Sequence, residues 1–196
     1  MLTLLCTFLL AGDVVIGVDG EQTASERSHF LDGERAQSLT LISWGSASVV
    51  SGSILAASGA LGARGLSIGL NTLGWGAVNT VLGVLFFLQE EAERKKLADE
   101  AKLGGAALYR RQEEMIGAYR SQATVFAVNT GLDVFYIAAG AACWLIADRF
   151  LARKDSLAGV GISAVMQGIF LFGFDLAGWL LASGRGDALS HLRVVF

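Results

Sequence analysis

The stretch ATVFAVNTGLDVFYIAAGAACWLIA, residues 123–147, contains a single charged residue, Asp133. About 20 apolar residues are enough for a helix to cross the hydrocarbon core of a bilayer. Three further runs of the same character lie at about 39–62, 66–88 and 158–183, and the last of them contains Asp175. Because these runs lack the polar face that a helix of a soluble core would show, the sequence predicts an integral membrane protein.

The overall composition agrees with that class. The 196-residue chain is 53% hydrophobic and 17% charged, whereas soluble domains carry about 25% charged residues. Its mean hydropathy is +0.53. The chain has no proline, although prolines and unwound segments usually make the kinks and broken helices of transporters. The composition therefore favours straight, closely packed helices over a transport cycle.

The connections between the runs predict an all-α, antiparallel four-helix bundle. The first two runs are separated by only a few residues around Arg64, and so short a turn makes a helical hairpin. The connection 89–121 is rich in both signs of charge and is interrupted at Gly104 and Gly105. We expect it to form a projecting helical hairpin that folds back at this glycine pair. Residues 148–156 form the third connection, and 184–196 a C-terminal tail.

The first 38 residues carry conflicting signals. Residues 2–18 are hydrophobic apart from Asp13 and lack a basic start, so an imperfect signal sequence, an interfacial helix and a short fifth span all stay open. Residues 19–38 are acidic, and we interpret them as a connector. The positive-inside rule favours cytoplasmic termini and a cytoplasmic middle connection, because most of the 15 Lys and Arg then lie inside. A cleaved signal would require the opposite orientation.

Small residues at four-residue spacing mark one side of the first run. In lipid, small side chains let helix backbones approach and gain dispersion contact. We therefore predict a helix-packing seam, made of Ser48, Gly52, Ala56 and Ala60.

Polar residues of three runs reach one level of the predicted bundle. At a rise of 1.5 Å per residue, Asn79, Asp133 and Asp175 lie about 12–16 Å below the same surface. A carboxylate at mid-membrane depth costs roughly 2.5–3.5 kcal/mol, so it normally has a partner or a task. We predict a polar intramembrane cluster with an aromatic lining of Trp75 and Trp179, and the cluster consists of Asn79, Asn129, Asp133, Tyr136, Gln167 and Asp175.

Two interpretations of this cluster stay open. In the structural one, amide side chains hydrogen-bond across helices and fix which helices pair, and the two carboxyl groups share a proton. In the functional one, the paired acids bind a cation, a proton or a small molecule. A Schiff-base chromophore is excluded, because no run contains a lysine.

Motifs of enzymes, metal sites and nucleic-acid binding are missing from the sequence. It contains no H-E-x-x-H, G-x-S-x-G or Walker pattern, and both histidines, His29 and His191, lie outside the runs. Cys6 and Cys143 lack metal-ligand spacing and are interpreted as packing residues. No basic tract suggests nucleic acid. We expect a non-enzymatic protein without cofactor or metal.

Two functions fit these expectations. The first is a structural or accessory subunit of a larger membrane complex, with lipids, other membrane subunits or further copies of itself as partners. The alternative is a membrane protein that binds a small molecule, an ion or a proton through the Asp/Asn cluster.

Three stretches of the chain form a recognisable set. They are N-T-G-L-D-V-F-Y-I-A-A-G at 129–140, Q-G-I-F-L-F-G-F-D-L-A-G-W at 167–179, and Gly74-Trp75 followed by Asn79 and Gly83. Together they resemble an uncharacterised family of small bacterial four-helix membrane proteins, over about residues 35–183. The resemblance implies a four-span fold in the bacterial inner membrane, and no activity. Members often begin with a basic signal sequence, which this chain lacks.

Overall fold

The computed structural model describes residues 20–191, with side chains to residue 190, and four long helices dominate it. They are α1 (Gly20–Ser58), α2 (Gly62–Arg94), α4 (Gly105–Ile146) and α5 (Lys154–His191). A short helix α3 (Leu97–Glu100) and a 3₁₀ turn (Ala147–Arg149) lie between them. All four long helices are long and apolar enough to cross a membrane. The predicted all-α class is confirmed, whereas the interpretations of residues 2–18, and Cys6, lie outside the described residues.

The four long helices continue beyond the apolar runs at the same end of the molecule. Residues 20–38, which we had interpreted as a connector, are the first half of α1. The hairpin of α2, α3 and α4 therefore does not project alone, since the extensions of α1 and α5 pack beside it. Met115, Ile116, Tyr119 and Leu189 form a buried cluster there, with Phe30 against it. We call this region the polar end.

The opposite end, which we call the turn end, is made of two tight connections. Gly59 and Gly62 adopt left-handed φ angles of +63° and +54°, a conformation that side chains other than glycine rarely tolerate. The chain therefore reverses before Arg64, which lies in the first turn of α2. Its guanidinium pairs with Asp155 of α5 at 2.7 Å and links the two helical hairpins.

At the polar end, the connection from α3 to α4 contains the glycine pair at which the sequence predicted a break. Gly105, with a left-handed φ of +52°, begins α4 there.

Glycines determine how closely α1 and α2 approach. A Cβ atom added at Gly52 would lie 2.7 Å from the carbonyl oxygen of Gly69, so these backbones are in direct contact. Ser48 and Gly52 are buried in this seam, and Ala56 is half-buried against Gly69. The fourth predicted seam position is wrong. Ala60 is exposed, because α1 ends at Ser58 and Ala60 lies in the turn.

The two hairpins join through α2 and α5. Thr72 and Ser163 share a buried hydrogen bond of 2.8 Å, and a Cβ atom added at Gly159 would lie 2.6 Å from the carbonyl oxygen of Arg64. The backbones of α2 and α4, in contrast, do not pack along the described helices. A cleft therefore separates α2 from α4.

Candidate functional site

The cleft between α2 and α4 has a volume of about 720 Å³ and extends from the polar end to the polar residues of the runs. Small-molecule sites typically measure about 300–1,000 Å³. Its walls are apolar, and the side chains that form them are Val78, Leu82, Phe86, Val125 and Leu132. α1 and α5 close its inner side. Its innermost part, which we call the floor, contains Asn79, Asn129, Asp133, Tyr136 and Asp175.

Two carboxyl groups meet at the floor. Asp133 of α4 and Asp175 of α5 are 3% and 7% exposed and lie within hydrogen-bonding reach of each other. Asn129, one helical turn before Asp133, also lies beside Asp175. The apolar runs contain no Lys, Arg or His, so no basic side chain from these runs lies beside the pair.

Several buried polar atoms along the cleft have no hydrogen-bond partner among the described residues. Asn79 Nδ2 and Asp133 Oδ2 lie at the floor, and Arg27 Nε, Gln37 Nε2 and Glu90 Oε2 lie towards the polar end. Leaving such a group unsatisfied costs about 1–3 kcal/mol. A ligand that donates hydrogen bonds would satisfy the carboxylate oxygen of Asp133 at the floor.

Aromatic rings bound the deep part of the cleft. Trp75 of α2 and Tyr136 of α4 meet edge to face, with ring centroids 5.6 Å apart. Because both residues lie further from the polar end than Asn79 and Asp133, this contact closes the inner end of the cleft. Phe174 also lines the cleft, one residue before Asp175.

Trp179, in contrast, does not line the cleft and is 40% exposed. Gly178 occupies the position against α4 instead, since a Cβ atom there would lie 2.6 Å from the Phe126 ring. One residue corresponds to about 100° of rotation in an α-helix, and this rotation turns Trp179 outwards. The prediction that Trp179 is part of the aromatic lining was therefore wrong.

Gln167 belongs to a different polar contact, between α5 and α1. Its Oε1 accepts a hydrogen bond from Trp44 Nε1 at 2.9 Å, and its Nε2 donates to Ser48 Oγ at 3.4 Å. Trp44 also stacks on Phe170. Eight residues separate Gln167 from Asp175, which is about 12 Å along the helix and about 80° around it. The predicted cluster thus divides in two. Trp44 was missed, although it precedes Ser48 by one helical turn.

Buried ion pairs and hydrogen bonds lie at the polar end. Arg27 donates to the hydroxyl of Tyr119 and, at 3.2 Å, to Glu93, while Arg185 donates to Glu34 at 3.4 Å. Burial raises the pKa of Glu34, although Arg27 and Arg185 act in the opposite direction. Burial also raises the pKa of Tyr119 to about 12. These contacts pack the helix extensions around the opening of the cleft.

Sequence reasoning missed this network because residues 19–38 were interpreted as a connector. The signal was a spacing of three and four residues that continues from the apolar part of α1 into its charged part. The buried positions that follow it are Ala24, Arg27, Leu31, Ser38, Leu41, Gly45, Ser48 and Gly52. That periodicity is typical of one continuous helix face.

Acidic side chains outnumber basic ones along the cleft. The acids are Glu34, Glu90, Glu93, Glu114, Asp133 and Asp175, and the bases are Arg27 and Arg111. A cleft lined by one sign of charge concentrates ions of the opposite sign, so this one favours cations. Among residues 20–190, no group of three His, Cys, Asp or Glu side chains is placed to hold a metal ion.

Four long apolar helices around an acidic cleft define a multi-pass helical protein of membrane-spanning composition. Residues 40–176 match a family of unknown function, DUF6992, and the chain belongs to that family. The resemblance to an uncharacterised family is thereby confirmed. The matched range includes both aspartates of the floor. No curated protein and no solved structure matches the chain.

Proposed function

We propose that this protein spans the bacterial inner membrane and binds a small polar or cationic molecule in the cleft between α2 and α4, without catalysing a reaction. The carrying observation is the buried pair of Asp133 and Asp175 at the inner end of a 720 Å³ cleft. Intramembrane carboxyl groups normally face a partner, a cavity or an ion path, and here the cavity is the cleft.

The unpartnered atoms of the floor support binding over a purely structural role. A polar cluster that only holds helices together is expected to satisfy its own donors and acceptors. Asn79 Nδ2 and Asp133 Oδ2 have no such partner among the described residues. The Thr72–Ser163 and Trp44–Gln167 contacts show the structural pattern, because each joins two helices through a direct hydrogen bond.

Native mass spectrometry of the protein purified in mild detergent tests this proposal. We expect a retained small molecule in wild type, and its loss in Asp133→Asn and Asp175→Asn, which keep the side-chain size. Asp148→Asn is the matched control, because Asp148 is an exposed aspartate at the turn end. Circular dichroism verifies that each variant is folded. The proposal fails if folded Asp133→Asn retains the same molecule at the same occupancy.

A second function, that of an accessory subunit in a larger membrane assembly, is supported by the outer face of α1. Exposed positions recur there at three- and four-residue spacing, and they are Ser43, Ser46, Ala47, Val50, Ser53, Ile54 and Ala57. Most of these side chains are small, and small side chains let a second transmembrane helix pack closely. The partner that fits is a helix of another subunit or of a second copy.

Substitution on this face separates the second function from the first. We expect Ala47→Leu to release a co-purified subunit, because the larger side chain keeps the second helix away. Val81→Leu, at an exposed position of α2, is the control and should leave the assembly intact. A wild-type protein that purifies as a monomer without other subunits would contradict the accessory function.

A further inference from the structure

We infer that the ligand of the cleft is a primary ammonium ion with an apolar body, and that its binding displaces a proton shared by Asp133 and Asp175. The inference rests on the proposed binding function and names its substrate class. The geometry behind it is the contact between two buried carboxyl groups below apolar and aromatic walls.

The shared proton follows from the surroundings of the pair. Two carboxyl groups in contact do not both ionise unless a positive charge lies beside them. At the floor, α2 contributes Asn79, and α4 contributes Asn129 and the phenol of Tyr136. On the α1 side, the cleft is lined by Ser38 and Leu41. None of these groups is cationic. The pair therefore holds one proton and carries one negative charge while the cleft contains no cation.

The charged groups nearer to the polar end do not supply that positive charge. Arg27 is engaged with Tyr119 and Glu93, and Arg111 with Glu93 and Glu100. The remaining acids that line this region are Glu34, Glu90 and Glu114. The charged groups that face the cleft from α1, α2 and α4 are thus of two kinds. They are acids, or they are arginines that already pair with other side chains.

An ammonium ion at the floor provides the missing charge, and the charges balance. The aspartate pair changes from one negative charge to two, the ligand adds one positive charge, and one proton leaves through the cleft. The three N–H groups of a primary ammonium can donate to both carboxyl groups. The unpartnered Oδ2 of Asp133 is one acceptor for them.

The walls favour an ammonium with an apolar body over a metal ion. Metal sites in proteins usually gather several carboxylate, imidazole or thiolate ligands, whereas no group of three His, Cys, Asp or Glu side chains among residues 20–190 is placed to hold a metal ion. The rings of Trp75, Tyr136 and Phe174 line the same space. Aromatic faces attract organic cations, and a body of a few carbon atoms fits the 720 Å³ cleft.

Calorimetry of the full chain in lipid nanodiscs tests the exchange. The probe is 2-phenylethylammonium chloride, and 2-phenylethanol is its neutral counterpart of similar shape. Titrations in two buffers of equal pH and different protonation enthalpy give the number of protons released. We expect one proton per ammonium bound and none for the alcohol. The Kd of the ammonium should rise about tenfold for each unit by which the pH is lowered.

Variants make the outcome specific to the floor. The double variant Asp133→Asn/Asp175→Asn should lose ammonium binding and keep alcohol binding, which also shows that its cleft is folded. Asp148→Asn should behave as wild type. Ammonium binding without proton release overturns the exchange and leaves the binding function standing. Equal ammonium binding by the double variant overturns the site, and failure of wild type to bind either probe overturns this substrate class.

Discussion

Replacing Gly161 by alanine tests the closest approach of α4 and α5. The added Cβ atom would lie 2.5 Å from the carbonyl oxygen of Gly140 and 2.7 Å from the backbone nitrogen of Trp144. Ordinary contacts between such atoms are about 3.5–4.0 Å. The two helices would therefore have to separate locally by about 1 Å, which weakens dispersion contacts along their interface.

The magnitude follows from two opposing effects. Overpacking of a tight interface costs typically 1–3 kcal/mol, whereas alanine is more favourable than glycine within a helix by about 0.8–1 kcal/mol. We expect Gly161→Ala to lower the free energy of unfolding by about 0–2 kcal/mol. Gly173→Ala is the matched control on the same helix, because a Cβ atom there meets nothing within 4 Å. It should stabilise the protein by up to about 1 kcal/mol.

The assay is reversible unfolding in mixed detergent micelles, in which the fraction of sodium dodecyl sulfate is raised and helicity is followed by circular dichroism. The decisive quantity is the difference in the free energy of unfolding between the two variants. If Gly161→Ala is as stable as Gly173→Ala, α4 and α5 do not approach through Gly140 and Gly161, and the close-contact geometry is refuted.

Two further predictions concern Gln167 and Tyr119. Gln167→Leu removes the acceptor of Trp44 Nε1 and should lower the free energy of unfolding by about 0.6–2 kcal/mol in the same assay. Met166→Leu, at an exposed neighbouring position, is the control and should leave the stability unchanged. Equal stability of the two variants would contradict this hydrogen bond. The second prediction uses the pKa of Tyr119, which burial raises from 10.0 to about 12. Because the folded state holds the phenol proton more tightly, this stabilisation is fully present below pH 10 and is lost as the pH rises through 12. Thermal unfolding between pH 9 and 12 should therefore show about 2–3 kcal/mol of loss in wild type that Tyr119→Phe lacks, and parallel profiles would contradict the assignment.

The helices could be predicted where hydropathy alone decides them. The run 123–147 lies within α4 except for its last residue, and the other three apolar runs lie largely within long helices in the same way. The first half of α1 could not be predicted by that criterion. Its charged side chains are satisfied by distant residues, as Arg27 is by Glu93 and Glu34 by Arg185. A local pattern of charges does not distinguish such a buried network from a solvated segment.

The floor of the cleft could be predicted in part from depth. The rise per residue places Asn79, Asp133 and Asp175 at one level, and the structure brings them to one cleft. Depth does not determine which face of a helix a side chain occupies. Trp179 was assigned to the lining by its four-residue spacing from Asp175, and Gln167 to the cluster as lying two turns earlier, but Trp179 is exposed and Gln167 bonds to Trp44 of α1.

The cleft itself follows from the distribution of glycines over the helix pairs. Glycines bring α1 close to α2, α4 close to α5, and α5 close to α2, as at Gly52, Gly161 and Gly159. Gly74 of α2 and Gly131 of α4 have nothing within 4 Å of an added Cβ atom. The sides of α2 and α4 that line the cleft carry larger side chains instead, and these are Val78, Leu82, Phe86, Val125 and Leu132.

Helices in lipid gain little from contact through bulky side chains, because lipid tails offer the same dispersion contacts. The close seams therefore hold α1 to α2, α4 to α5 and α5 to α2, and they leave α2 and α4 apart. Asp133 and Asp175 meet on the side of α4 and α5 that borders this gap. The packing that stabilises the bundle thus also keeps Asp133 and Asp175 at the border of the cleft.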